Sequence, residues 1–155
     1  MPSPVITYQH GYCFDLAPDG LWDRIEEVDQ FEQWWPWLTD FWIEGNGLSA
    51  GSILHGIVTP PLPYRMRLRV QLEKCERPHA IDAVISGDLI GDARIRLRPE
   101  GAGTWVEVAW KVEMRQPAMR LASRIGRPVL QWGHDRVVEV TLRNLPPQFG
   151  YHGGA

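Results

Sequence analysis

The C-terminal stretch from Pro117 to Leu145 constrains the fold most, because it is the only segment long enough to form a major helix. A helix of about 28 residues is about 40 Å long, enough to cross a small domain. Residues at helical spacing form one largely apolar face, which carries Leu130, His134, Val137, Val138, Thr141 and Leu145. The sequence therefore predicts one long helix laid across the rest of the chain.

The segments before this helix alternate between apolar and polar residues with the period of two that strands show. Strands are predicted at 5–16, 37–45, 53–59, 64–77, 80–89, 91–98 and 104–114. Pro18 suits the first position of a short helix that extends to Val28. Asp29 can cap a second short helix, which Pro36 ends. The partner of the long helix is thus predicted to be a curved antiparallel sheet.

The composition indicates one globular domain, which we place at residues 1–146, followed by a glycine-rich tail at 147–155 that is expected to fray. The net charge of −3 does not predict binding to nucleic acid or to a membrane surface. Cys13 and Cys75 lack metal-binding or redox spacing, and no window approaches a membrane span. We expect a cytoplasmic monomer or homodimer with no cofactor, no metal and no integral membrane segment.

Several motifs occur in this order and together resemble one superfamily. They are FEQWWPWL at 31–38, GxGxxxGS at 45–52, the basic strand at 65–69, GTWVEVAWKVEM at 103–114 and GHDRVVEVTLRNL at 133–145. Together with the opening strand and the helix that starts at Pro18, they resemble the START-like superfamily, also called SRPBCC or Bet v 1-like. The similarity is greatest to its polyketide cyclase/dehydrase and lipid-transport branch.

The resemblance implies an α+β helix-grip fold, in which a curved antiparallel sheet of about six or seven strands wraps round the long C-terminal helix. Two short helices follow the first strand. Between sheet and helix the family leaves an elongated cavity for an apolar or aromatic small molecule. Members include polyketide cyclases and aromatases, lipid carriers, quinone-binding proteins and proteins that bind other proteins. They share no catalytic motif, so the resemblance does not transfer a specific function.

Three functions therefore stay open. The first is binding of a hydrophobic small molecule, with possible polyketide cyclase/dehydrase-like activity. The second is a non-catalytic lipid or quinone carrier, and the third is a protein-interaction module without a small-molecule ligand. Whether the protein is an enzyme is undecided, because the sequence contains no nucleophile elbow, phosphate loop, HExxH motif or cysteine pair.

His134 and Tyr64 are the candidate catalytic residues. His134 lies on the apolar side of the predicted helix, where it could protonate or orient a ligand carbonyl. The competing interpretation is a partly buried histidine that is hydrogen-bonded to its neighbours. Tyr64 follows a proline-rich loop and could present its hydroxyl at a cavity mouth, although a tyrosine packed in the core would fit equally well.

The candidate ligand-binding residues combine aromatic surface with apolar helix positions. They are Trp35, Trp37, Tyr64, Trp110, Leu130, His134 and Val138. The four tryptophans between 34 and 42 could instead fill the space between the short helices and the sheet.

Gly126 and Pro128 interrupt the long helical pattern. Proline removes a backbone donor and clashes with the preceding turn, so we predict a kink or break between Arg124 and Pro128. The piece before it, 118–125, would then be either a movable lid or one arm of a static bend.

Overall fold

The computed structural model describes residues 5–115 and 126–154, which form one antiparallel sheet of eight strands with helices against it. The strands are β1 (Val5–Phe14), β2 (Leu38–Glu44), β3 (Ile53–Val58), β4 (Met66–Glu76), β5 (Ala80–Gly87), β6 (Leu89–Glu100), β7 (Gly103–Met114) and β8 (Tyr151–Gly154). Their order across the sheet is β2-β3-β4-β5-β6-β7-β1-β8. The predicted α+β helix-grip architecture is confirmed, with one strand more than expected.

Two short helices, α1 (Pro18–Ile25) and α2 (Phe31–Trp34), separate β1 from β2, and α3 (Arg127–Arg143) follows β7. Pro18 opens α1, and Asp19 places a negative charge in its first turn, as the sequence indicates. Leu21 and Trp22 are the most deeply buried residues of α1, each 1% exposed. The apolar stripe of α1 therefore anchors this end of the molecule to the sheet.

The C-terminal helix packs against the sheet at both of its ends. Leu130, near its start, joins a buried cluster with Met66 and Met114. Leu142 and Leu145, at and just beyond its end, pack on a second cluster that includes Trp22. The two clusters thus attach the two ends of α3 to the sheet. A cavity lies between the middle of α3 and the sheet.

The predicted helix of about 28 residues is not continuous, because α3 begins only at Arg127. Gly126 has φ 91° and ψ 152°, a conformation incompatible with a helix and open mainly to glycine. Pro128 then occupies the first turn, where its missing N–H costs nothing. The break falls within the predicted interval; the segment 118–125 and its suggested motion lie outside the described residues.

The described part of the C-terminal tail contains a 3-10 turn and the strand β8, and fraying of the tail stays a prediction. A 3-10 turn at Pro147–Phe149 buries Phe149, which is 4% exposed, and Gly150 reverses the chain with φ 64°. Residues of β8 then pair with Tyr12, Cys13 and Phe14 of β1. The glycine-rich composition of this segment did not predict the strand.

The outer face of the sheet carries the charged rows that the alternation predicts. Asp82 on β5 forms an ion pair with Arg96 at 2.7 Å. The arginine rows of β4 and β6 are not adjacent, because β5 lies between them. In the part of the chain that the structure describes, no helix is both long and apolar enough to cross a membrane.

Candidate functional site

A cavity of about 420 Å³ lies between the inner face of the sheet and α3. Residues of β7 that alternate along the strand form much of its floor. They are Val106, Val108, Trp110, Val112 and Met114. Val137, Val138 and Leu142 of α3 form its roof. The period of two in β7 and the helical period in α3 thus place apolar side chains on both walls.

Small residues in the middle of the sheet help to keep this space open. Across the strands, Leu72 is the register partner of Ala83, Ala83 of Ala93, and Ala93 of Trp110. Two adjacent alanines therefore lie in a row bounded by a leucine and a tryptophan. Because an alanine side chain is a single methyl group, Ala93 leaves room at the wall of this cavity, and Ala83 leaves room at the neighbouring position of the sheet.

All seven predicted ligand-binding residues lie at the wall of this one cavity. The tryptophan run divides between several environments. Trp35 and Trp37 line the cavity, Trp34 packs edge-on against Phe149, and Trp42 stacks on His55 at the outer face with 53% exposure. Contact of the seven residues with a ligand stays a prediction.

His134 is held by hydrogen bonds at both ring nitrogens. The Trp110 indole N–H donates to Nε2 at 3.0 Å, and Nδ1 lies 3.0 Å from Oδ1 of Asp135. Because Nε2 accepts from Trp110, the ring proton belongs on Nδ1, where it can be donated to the carboxylate. The arrangement describes a neutral imidazole whose orientation is fixed from both sides.

Asp135 supports this orientation from the exposed side of α3. Burial acts to raise the pKa of Asp135, but hydrogen bonds from His134 and Gln131 outweigh it, so the pKa lies below its ordinary value. Gln131 donates to the same carboxylate oxygen at 2.9 Å. The carboxylate is therefore ionised at neutral pH and accepts both bonds.

Tyr12 and Tyr64 are the phenols at the cavity wall. Burial, followed by the hydrogen bond with Tyr8, raises the pKa of Tyr12 above its ordinary value. Burial alone raises the pKa of Tyr64. Both hydroxyls therefore stay protonated at neutral pH and can donate a hydrogen bond.

Thr141 connects α3 to the aromatic segment that follows α2. Its hydroxyl accepts from the Trp37 indole at 2.8 Å and donates to the Val137 carbonyl at 2.7 Å. Its backbone carbonyl accepts from the Trp35 indole at 3.1 Å. The two indoles stack with centroids 5.5 Å apart, so one residue of α3 fixes a two-ring wall of the cavity.

Tyr12, Phe14 and Thr141 are among the wall residues that the sequence analysis did not name as site candidates. The alternation of β1 already places Tyr12 and Phe14 on one face, and the helical period places Thr141 beside Val137 and Val138. Tyr12 and Phe14 could not be assigned to the cavity because the sequence does not show that β1 pairs with β7. The first strand of a chain need not lie next to its last long strand.

The sequence matches no family model and no curated protein. Solved structures do match. The protein TTHA0849 from Thermus thermophilus has a TM-score of 0.73 at 14% identity over 94% of this chain and 97% of that one. The Zhui aromatase/cyclase from Streptomyces sp. R1128 has a TM-score of 0.69 at 11% identity, over 91% of each chain.

A third structure is norcoclaurine synthase from Thalictrum flavum in complex with dopamine and hydroxybenzaldehyde. Its TM-score is 0.57 at 12% identity, over 94% of this chain and 91% of that one. Identities this low show a shared fold and leave activity open. With its eight-stranded curved sheet and C-terminal helix, the described part of the chain shares the helix-grip fold of these structures.

Proposed function

We propose that this protein binds one apolar or aromatic small molecule in the cavity between the sheet and α3. The observation that carries the proposal is a space of about 420 Å³ whose wall is apolar except for a few hydroxyl, indole and imidazole groups. Small-molecule sites in proteins have volumes of about 300–1,000 Å³ and combine an apolar wall with a few polar groups. The cavity meets both criteria.

The similar structures support a small molecule over a partner protein. One is described as an aromatase/cyclase, and another holds dopamine and hydroxybenzaldehyde. A protein-interaction module would not require an open interior of this size. The interaction module is therefore the weakest of the three functions.

The geometry at His134 favours a binding protein over an enzyme in which His134 moves a proton. Nε2 already accepts from Trp110 and Nδ1 faces Asp135, so His134 must break a bond before it can reach a ligand. Tyr64 needs no such step, because burial raises the pKa of its half-buried hydroxyl, which is therefore protonated at neutral pH and can donate a hydrogen bond to a ligand. If a cyclase/dehydrase-like reaction of a poly-keto substrate occurs, Tyr64 would hydrogen-bond a ligand carbonyl while the cavity orients the chain.

The test is a titration with N-phenyl-1-naphthylamine, a neutral aromatic probe whose emission rises in apolar surroundings, together with native mass spectrometry of the purified protein. We expect saturable binding with one probe per chain. Val138→Phe, which fills the cavity from α3, should weaken binding at least about tenfold. Val129→Phe is the matched control, because Val129 is 40% exposed on the same helix and does not line the cavity.

Equal binding by both phenylalanine variants would contradict the proposal. Incubation of the wild type and of His134→Gln with a poly-keto thioester separates the two remaining functions. A carrier shows no turnover in either form, and an enzyme that relies on Tyr64 and the cavity shows turnover in both. An enzyme that uses His134 would convert a poly-keto thioester as wild type and lose that turnover in the variant while still binding the probe.

A further inference from the structure

A second cavity of about 320 Å³ adjoins the first on the side of α1 and α2. The two share five lining residues: Phe14, Trp35, Ala93, Val106 and Val108. Shared walls on β1, β6, β7 and the segment after α2 place the two spaces side by side over the same strip of sheet. We call them the helix lobe, beneath α3, and the inner lobe, beneath α1 and α2.

The two lobes differ in chemistry. The helix lobe carries the hydroxyls of Tyr12 and Tyr64 and the imidazole of His134. The inner lobe has an apolar surface, with Leu21, Ile25 and Val70 in its wall. Arg94 is also a lining residue, but no polar atom of the described residues faces this lobe. A polar group placed in the inner lobe would lose its hydrogen bonds to water and gain none.

From this asymmetry we infer that the ligand is a single elongated amphiphile, an oxygen-bearing aromatic ring with an unbranched alkyl tail. The ring occupies the helix lobe and the tail the inner lobe. The inference rests on the proposed function and adds to it the class of ligand and its orientation. The tail belongs in the inner lobe because only carbon can be buried there without an unpaired polar group.

The residues shared by the two lobes form the junction that a tail would cross. Ala93, Val106 and Val108 contribute small or β-branched side chains there, and Phe14 contributes an aromatic ring. Trp35 contributes an indole that is fixed by its bond to the Thr141 carbonyl at 3.1 Å. A methylene chain is thinner than a ring system, so it needs less room beside this fixed indole.

The row of alanines leads into the inner lobe. Ala83 lines only this lobe and is the register partner of Ala93, which lines both. A larger side chain at 83 would occupy the path of the tail without touching the wall of the helix lobe. This position therefore separates tail binding from ring binding.

The experiment is displacement of N-phenyl-1-naphthylamine by 4-alkylphenols from ethyl to octyl. In the wild-type protein the Kd should fall about fourfold for each added methylene until the inner lobe is full. In Ala83→Phe the Kd of 4-ethylphenol should stay within about twofold of wild type, while 4-octylphenol should lose at least about tenfold. Val70→Phe, also in the wall of the inner lobe, provides the same test if Ala83→Phe fails to fold.

Val84→Phe is the matched control, because Val84 follows Ala83 on β5 and is 39% exposed on the other face. The inference would be overturned if the wild-type Kd did not change with the length of the alkyl tail. It would also be overturned if the Kd fell with tail length in both inner-lobe variants as much as in the wild type. In either case binding of the short phenol and of the probe would leave the proposed function standing. Failure of every phenol and of the probe to bind would instead remove the proposed function.

Discussion

At the residue scale, Thr141 makes three hydrogen bonds that connect α3 to Trp35, Trp37 and its own helix. Its hydroxyl is the acceptor for the half-buried Trp37 indole and also bonds back to the helix. Valine has nearly the same shape as threonine but no hydroxyl, so it would leave the Trp37 indole N–H without this acceptor. Thr141 thus links the aromatic wall to α3 through a polar contact inside a largely apolar cavity.

We predict that Thr141→Val lowers the free energy of unfolding by about 1–3 kcal/mol, the cost of an unsatisfied buried donor. Urea denaturation followed by circular dichroism measures this change. A double-mutant cycle with Trp37→Phe should show a coupling of about 1 kcal/mol, since the phenylalanine has no N–H to satisfy. Purely additive effects would mean that the bond does not stabilise the fold.

The sequence showed that His134 is a polar group on an apolar helix face, and the structure places it at the cavity wall. Its partner Trp110 could not be predicted, because that residue lies on a strand 24 positions away in sequence. The alternation in β7 predicted that the Trp110 side chain faces inward, but not which residue of α3 it lies opposite. A hydrogen bond depends on tenths of an ångström, and neither period specifies distances that fine.

At the scale of elements, the start of α3 depends on one glycine. Gly126 adopts φ 91° and ψ 152°, a region of backbone conformation that side chains with a Cβ rarely enter. Directly after it, Pro128 fits only the first turn of a helix. The pair therefore sets where the helix that covers the cavity begins.

We predict that Gly126→Ala lowers the free energy of unfolding by about 1–3 kcal/mol because it forces a Cβ into this region. Gly20→Ala is the control with the opposite sign. Gly20 lies within α1, and its added Cβ would meet Leu16 at an ordinary 3.8 Å. That substitution should raise stability by about 0.5–1 kcal/mol. Equal urea midpoints for Gly126→Ala and wild type would refute the strain argument.

Element order and type could be predicted along most of the described chain, since the periods of two and of 3.6 were clear. β8 was missed because its four residues, two of them glycine, lack a strand pattern. Its pairing arises from tertiary structure: Phe149 is buried and Gly150 turns the chain toward β1. The break before α3 was predictable because proline acts locally.

At the scale of the whole molecule, the buried tyrosines make stability depend on alkaline pH. Burial, followed by the hydrogen bond with Tyr8, holds the pKa of Tyr12 above its ordinary value of 10.0. The unfolded chain therefore loses this proton near pH 10, while the folded chain keeps it. The contribution is fully present below the unfolded pKa and is lost as the pH rises toward the folded one.

We predict that the unfolding free energy falls above pH 10, with Tyr12 contributing about 1.4 kcal/mol per pH unit. Tyr12→Phe should reduce this slope by that amount, because phenylalanine has no proton to lose. Urea denaturation between pH 8 and pH 11 measures it, and the comparison at pH 8 gives the cost of the substitution itself. Parallel pH profiles for the two proteins would contradict the assignment to Tyr12.

The cavity as a whole was predicted through the family resemblance, and its division into two lobes was not. Length and period placed a helix over a sheet, but the volume between them depends on side chains from several strands at once. Ala83 and Ala93 are ordinary in sequence and become a gap only when β5 and β6 pair in register. The gap depends on residues from different strands, so no single segment of the sequence predicts it.

Three indoles in the cavity wall have a practical consequence. Trp35 and Trp37 form a stacked pair in this wall, and Trp110 belongs to the floor on β7. An aromatic guest whose absorption overlaps tryptophan emission would lie within a few ångströms of them and would accept their excitation energy. Occupancy could then be followed without a label, as quenching of the protein's own fluorescence that appears as emission from the guest.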